Sequence, residues 1–330
     1  MEDNNTIKWT TTGSSLTKTI SVSTNNGTTW TSKTSSTTGV TLATLNTGDE
    51  LLIKGTNTAY SNGAYSNKFD STGKFNVEGN IMSMIGGDNF VNITSLSTSN
   101  TFRYLFSSCS KLINAKNLLL PATMLTSYCY FGMFSSCISL VTAPELPATT
   151  LTGYCYSSMF YSCTSLITAP KLPATTLSTY CYSNMFNDCT SLTTAPTLPA
   201  TTLKSSCYNS MFRDCTNLVT APELPATALA NYCYQYMFRG CTNLTTPPDL
   251  PATTLTSSCY NQMFYNCTKL NYIICDATNI SASNCTSYWL NGVASTGTFA
   301  TRDPDNDLSF WPSGASGIPS GWSRDQIPPT

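Results

Sequence analysis

The chain has no histidine among its 330 residues. That removes the commonest general base, the commonest neutral metal ligand and the side chain that switches charge near neutral pH. Charge of either sign is scarce: 10% of residues are charged, and the formal net charge is -1. A nucleic-acid binder or a polybasic membrane contact needs a basic footprint, and this composition supplies none. No apolar run approaches the length of a membrane-spanning helix; the longest patch is Leu118-Leu119-Leu120. The N-terminus, Met1-Glu2-Asp3-Asn4-Asn5, is acidic and polar with no apolar stretch behind it, unlike a secretory signal. The expectation is a chain that acts inside the cell or leaves it by a route other than standard export. Paired carboxylates and Gly-rich phosphate loops are also missing. The sequence therefore predicts no enzyme: no catalytic residues, no cofactor and no metal site.

What the chain has instead is a repeat. A 26-residue unit recurs six times without gaps, its Leu-Pro prolines falling at Pro121, Pro147, Pro173, Pro199, Pro225 and Pro251. A Met-Phe pair keeps the same register from Met133-Phe134 to Met263-Phe264. A fixed period in the twenties predicts stacked coils, each burying its apolar face only against its neighbours. Within a unit, Cys155, Tyr156, Met159, Phe160 and Cys163 fall at i, i+1, i+4, i+5 and i+8, one face of a short helix with Thr152 or Gly153 at its start. Leu166 and Ala169 fit a strand of about three residues that Pro170 ends, because proline cannot donate to a ladder. The fold expected is thus an α/β repeat solenoid, six coils of short strand plus short helix, behind a small all-β sandwich-like domain.

The segments divide accordingly. Residues 1–57 read as the β domain, a mount or spacer. Ile20 and Val22 alternate with polar neighbours, Asn25-Asn26-Gly27 supplies a hairpin turn, and Trp30 falls in the return strand. Further strands are expected at Val40–Leu42 and Leu51–Ile53. Residues 58–108 read as an N-terminal cap ending in the degenerate unit Tyr104-Leu105-Phe106-x-x-Cys109, residues 109–275 as the solenoid, and 276–330 as a C-terminal cap carrying Trp289, Phe299, Trp311 and Trp322.

Twelve of the fifteen cysteines form two columns, Cys129 to Cys259 and Cys137 to Cys267. Zinc would want close Cys-x-x-Cys pairs, which are missing. Eight residues of helix separate the two cysteines of a unit by roughly 12 Å, beyond the limit of roughly 7 Å between bridged Cα atoms. Equivalent cysteines of adjacent coils would point the same way, a poor geometry for bridging. A ladder of buried free thiols fits best.

These residues resemble the BspA-type (Treponema-like) leucine-rich repeat: Leu-Pro, then Leu, then Met-Phe-x-x-Cys, then x-x-Leu, over about residues 101–275. The chain departs by longer units, Met for Ala, and a second cysteine column. Its flanks, Phe75-Asn76-Val77-Glu78-Gly79-Asn80 and Gly317-Ile318-Pro319-Ser320-Gly321-Trp322, look like proteins of gut bacteria and their phages. The resemblance implies adhesion or recognition with no catalytic residues to carry over. The function expected from it is a non-enzymatic bacteriophage virion protein, a fibre, decoration or receptor-binding component on the virion surface; the alternative is a bacterial surface adhesin. Expected partners are a host cell-surface glycan or protein, and other virion proteins through the N-terminal domain. Association of copies with one another stays open, and neither nucleic acid nor membrane insertion is expected.

The tyrosine columns divide in two. Tyr130, Tyr156, Tyr182, Tyr208, Tyr234 and Tyr260 never vary, which indicates packing. The column Tyr128, Tyr154, Tyr180, Ser206, Tyr232 and Ser258 admits serine, which indicates exposure, either as a partly buried rim or as a row that stacks on sugars or a protein. With it, the variable positions Tyr161, Arg213, Tyr236 and Arg239 complete the candidate ligand or partner surface. Leu-Pro-Ala-Thr-Thr imitates a sorting signal, and Asp303, Asp305 and Asp307 imitate a calcium loop. The first lacks its final glycine, and the second lacks its glycine and closing acid.

Overall fold

A computed structural model describes residues 3–302 and 308–328; Asp303, Asp305 and Asp307 lie outside them. Strands, bridges and turns dominate, and the one α-helix among the described residues is Ser83–Gly86.

The first part of the chain forms two three-stranded antiparallel sheets. Strand β1 (Asn5–Thr11) lies between β4 (Val40–Leu45) and β6 (Asn67–Ser71), and β2 (Thr19–Ser23) lies between β3 (Thr31–Thr34) and β5 (Leu52–Lys54). Alternation along β1 and β2 buries Ile7, Trp9, Ile20 and Val22. The β2–β3 turn has positive φ at both central residues, Asn26 and Gly27, and closes through the Thr28 amide on the Asn25 carbonyl at 3.1 Å. Such turns match the twist of the strands they join. Trp30 sits one residue ahead of β3 rather than in it. Residue 57 does not bound the first sheet, since β6 completes it.

From residue 75 onward the units stack in register. Strands β7 (Phe75–Asn76) and β8 (Gly79–Asn80) pair in parallel with β9 (Leu112–Asn114) and β10 (Leu118–Leu119). Beyond them the strands expected in each unit shrink to single parallel bridges, Asn114 to Thr142 to Thr168 to Thr194. The prolines two residues on, such as Pro144 and Pro170, supply no further donor. At the far end β11 (Tyr272–Ile274), β12 (Gly297–Thr301) and β13 (Trp322–Gln326) form a parallel sheet.

The helix expected in each unit is absent. Between Thr126 and Cys137 every second amide closes a local four-residue turn: Cys129 on Thr126, Phe131 on Tyr128, Met133 on Tyr130, Ser135 on Gly132 and Cys137 on Phe134, at 3.3, 3.2, 3.1, 3.0 and 3.0 Å. The amides in between reach the next unit: Tyr128 on Gly153, Tyr130 on Cys155, Gly132 on Ser157, Phe134 on Met159 and Ser136 on Tyr161, at 3.2, 3.0, 3.0, 2.9 and 2.7 Å. An α-helix would consume all these donors internally and leave none for the neighbour. The backbone turns left-handed at every fourth residue, here Tyr128, Gly132 and Ser136, then Tyr154, Ser158 and Ser162. A right-handed helix excludes that conformation. Serine, asparagine, aspartate and glycine fill most of these positions and tolerate it through local hydrogen bonding or the missing Cβ.

Stacking buries the invariant columns. Phe134, Phe160, Phe186, Phe212, Phe238 and Phe264 are 0% exposed, with successive rings within 8° of parallel and centroids 5.6 or 5.7 Å apart. That is an offset stack, preferred over a face-to-face sandwich. The invariant tyrosines stack likewise, at 5.7 to 6.2 Å. Both columns continue past the repeats. Phe106 stacks on Phe69, Phe102 lies between Tyr60 and Tyr130, and the two lines converge on Trp9. At the other end Tyr260 meets Trp289, which packs on Trp311 and Phe299. One apolar core therefore runs from the first sheets to the last.

All fifteen cysteines are free and buried. The thiols of Cys137, Cys163, Cys189, Cys215, Cys241 and Cys267 each donate to a phenylalanine carbonyl of the preceding unit, Phe106 through Phe238, at 3.0 or 3.1 Å. Burial drives these thiols to remain protonated, and it pushes Cys109, Cys129, Cys181, Cys259 and Cys275 up to about 12. A thiol so far from its thiolate neither binds metal nor reacts readily.

Candidate functional site

The left-handed turn positions set what the surface displays. At three consecutive units the residue there is tyrosine: Tyr128, Tyr154 and Tyr180, with φ of 58, 58 and 56°. Their rings stack within 9° of parallel, with centroids 4.5 and 4.7 Å apart, closer than in either buried column. Each of the three residues is half-buried. Burial, then the hydroxyls of Tyr128 and Tyr180 on either side, raise the pKa of Tyr154. A bulky side chain in a left-handed conformation costs about 1 kcal/mol, where the serine of other units would be easier to place.

The row does not end at Tyr128. Phe131 packs against Tyr128 at 5.7 Å and edge-on against Tyr104 at 5.3 Å. The Arg103 guanidinium lies over three of these rings, 4.7 Å from Phe131 and 5.2 Å from both Tyr104 and Tyr128. It is anchored by a 3.1 Å bond from Nη1 to the Asn100 side chain. A cation among aromatic faces is attracted by their quadrupoles. The result is an aromatic strip with a fixed positive charge at one end.

The other candidates fall elsewhere. Tyr232 shares the column but is cut off by Ser206, and stands alone at 40% exposure. Ser206 and Ser258 are buried, so a position that admits serine is not thereby an exposed one: the short side chain stays below the surface that tyrosine reaches. Tyr161, Arg213 and Arg239 belong to the column after Met-Phe. Arg213 pairs with its neighbour Asp214 at 3.1 Å. Arg239 lies between Tyr236 and Tyr265, at 5.7 and 4.8 Å, and bonds Gln262 at 2.7 Å. These form a second, smaller cation–aromatic group. Arg103, Tyr104, Phe131 and Tyr265 escaped the sequence reading. Tyr104 carried a usable signal, because it sits four residues before Ser108 in the leading unit, at a turn position.

Among the described residues no cluster of His, Cys, Asp or Glu could hold a metal ion, and no helix is long and apolar enough to cross a membrane. No family model matches the chain, nor does any curated protein or solved structure.

Proposed function

We propose that this chain is a non-enzymatic recognition protein of a bacteriophage particle, a leucine-rich-repeat-like solenoid that binds the host surface through the Tyr128–Tyr154–Tyr180 strip. The observation that carries this reading is the strip itself: three parallel tyrosines at positions where tyrosine is conformationally costly, ending in a cation held over the rings. The flat, hydroxyl-edged faces suit the apolar faces of sugar rings, and Arg103 suits an acidic substituent on the same glycan. The particle assignment rests on the resemblance of the flanking segments to proteins of gut bacteria and their phages.

Binding of the full chain to host cells and to an array of bacterial surface glycans tests the recognition reading. Each tyrosine contributes about 1 kcal/mol to stacking, so replacing all three with serine should weaken binding on the order of a hundredfold. Serine already stands at this turn position in other units, so the fold should persist. Unchanged binding by that variant removes the strip from the function. Mass spectrometry of purified particles tests the location: peptides in washed bacterial envelopes alone would indicate the adhesin instead.

A further inference from the structure

A second surface lies at the N-terminal end of the aromatic core, where the first sheets meet the first unit of the stack. Residues 75–81 form the outermost edge of that stack. Phe75, Val77, Gly79 and Ile81 donate their amides inward, to the carbonyls of Lys111, Asn114, Asn117 and Leu119 at 3.2, 3.0, 3.1 and 3.1 Å. In an extended segment alternate residues point their backbone groups to opposite sides. Asn76, Glu78 and Asn80 therefore aim theirs outward, where no strand among the described residues pairs with β7 or β8. Just past this edge the Asn80 side chain accepts from the Met82 amide at 2.9 Å.

Beside the open edge is an apolar cleft of about 560 Å³. Ile53 of the second sheet, with Trp30 and Leu51 each one residue ahead of a strand of that sheet, lines it together with Phe75, Val77 and Phe90, and all six are only partly buried. Its rim is acidic. Asp49, Glu50, Glu78 and Asp88 line it and are exposed, against Lys54 alone. Lys54 is already engaged, 2.8 Å from Asp88 and 4.0 Å over the Trp30 ring. Glu50 and Glu78 have no ion-pair partner among the described residues.

We infer that this cleft receives an extended peptide segment of a partner protein, apolar at alternate residues and lysine- or arginine-bearing at its ends. The segment adds a strand to the 76–80 edge, its alternate side chains enter the cleft, and its basic ends meet Glu50 and Glu78. Main-chain pairing supplies affinity and the alternate side chains supply specificity, as in other strand-addition sites. The inference stands independently of what the tyrosine strip binds.

Titration calorimetry with the full chain tests it, using the capped peptide Lys-Val-Thr-Ile-Thr-Val-Lys and its counterpart with glutamate at both ends. The basic peptide should bind about five- to thirtyfold tighter, since two rim pairs together are worth about 1 to 2 kcal/mol. The exposed double variant E50K/E78K should reverse that preference without changing the melting temperature. N-methylation of one alternate set of peptide amides should abolish binding, and of the other set leave it intact. Equal binding of the two charge forms, or tolerance of both methylated peptides, overturns the proposal. So does binding of a small apolar dye without the peptide, which makes the cleft a small-molecule site. Dimerisation in light scattering that E50K/E78K abolishes overturns it too, by making the occupant a second copy.

Discussion

Raising the pH should unfold this protein abruptly, and the buried thiols set where. In the folded state Cys109, Cys129, Cys181, Cys259 and Cys275 ionise only at about 12, against an ordinary value of 9.0. Below pH 9 both folded and unfolded chains keep these protons, and the thiols leave stability independent of pH. Above it the unfolded chain sheds protons that the folded chain must hold, so stability falls as pH rises. Each such group removes about 1.4 kcal/mol per pH unit until its folded-state value is reached. For these five thiols together the loss is about 2 kcal/mol at pH 9 and about 7 kcal/mol at pH 10. The remaining buried cysteines shift in the same direction, and the buried tyrosines join above pH 10. A protein of ordinary stability has about 5 to 15 kcal/mol to lose, so cooperative unfolding is expected near pH 10. Urea denaturation followed by circular dichroism, under reductant, at half-unit steps from about pH 7.5 to 10.5 measures this directly. A midpoint that stays flat through pH 10 would falsify the reasoning. So would rapid labelling of most thiols by a disulfide reagent in the native protein at neutral pH.

Other outcomes follow from single positions. Gly132 has φ of 57°, and a Cβ there would meet the Tyr104 ring at 2.3 Å, so Gly132→Ala should cost about 1 to 3 kcal/mol. Gly153→Ala, whose nearest contact would be 3.8 Å away, is the matched control and should be near neutral in the same thermal melts. The buried Tyr156 hydroxyl has no hydrogen-bond partner, and phenylalanine already fills this column at Phe102. Tyr156→Phe should therefore stabilise by about 1 kcal/mol, the penalty of an unsatisfied hydroxyl; a lower urea midpoint would point to an unseen partner. Met185→Ala, in the middle of the stack and fully buried, should cost about 2 to 5 kcal/mol, with hydrogen exchange rising first in the units on either side of it.

The sequence displayed its columns more clearly than its backbone. Met-Phe, Tyr-Cys-Tyr and Leu-Pro recur at one interval, and a side chain that recurs unchanged through a stack must face its own copies, so their burial could be read directly. The backbone between them could not. Apolar residues at i, i+4 and i+8 suit a helix, and they suit equally a chain that turns every four residues; eight residues are too few to separate a period of 3.6 from one of 4. The polar residues held the distinction, in the four-residue spacing of Ser158 and Ser162, Asn184 and Asp188, Ser210 and Asp214. Two serines four apart are also ordinary on the outside of a helix, so that signal was silent without a backbone. In the first sheets, β2 announced itself by alternation, whereas β6 has one apolar residue, Phe69, between the buried polar residues Asn67 and Ser71. Asn67 is placed by bonds to the Leu16 and Tyr60 carbonyls at 3.0 and 3.2 Å, which no pattern in the chain foretells. The tyrosine strip was half visible. Its three stacked rings stood out as a column, but Arg103 and Phe131 occupy a variable position, the one after the invariant tyrosine column, and only proximity in space joins them to it.

The alternating amides of each unit carry a consequence for how such a chain can change. Because one half of the donors is spent locally and the other half on the next unit, each coil offers the same set of acceptors on its upper face that it needs on its lower one. The backbone of any coil therefore fits on any other, leaving only side-chain matches such as Gly132 beneath Tyr104 to be met. Unequal crossing-over between the coding segments of the repeats would add or delete 26 residues, and the product would keep its backbone pairing across the new junction. Length becomes a trait that varies in whole steps, and a lineage carrying this gene can reshuffle which side chains stand beside one another on its surface faster than point mutation alone would allow.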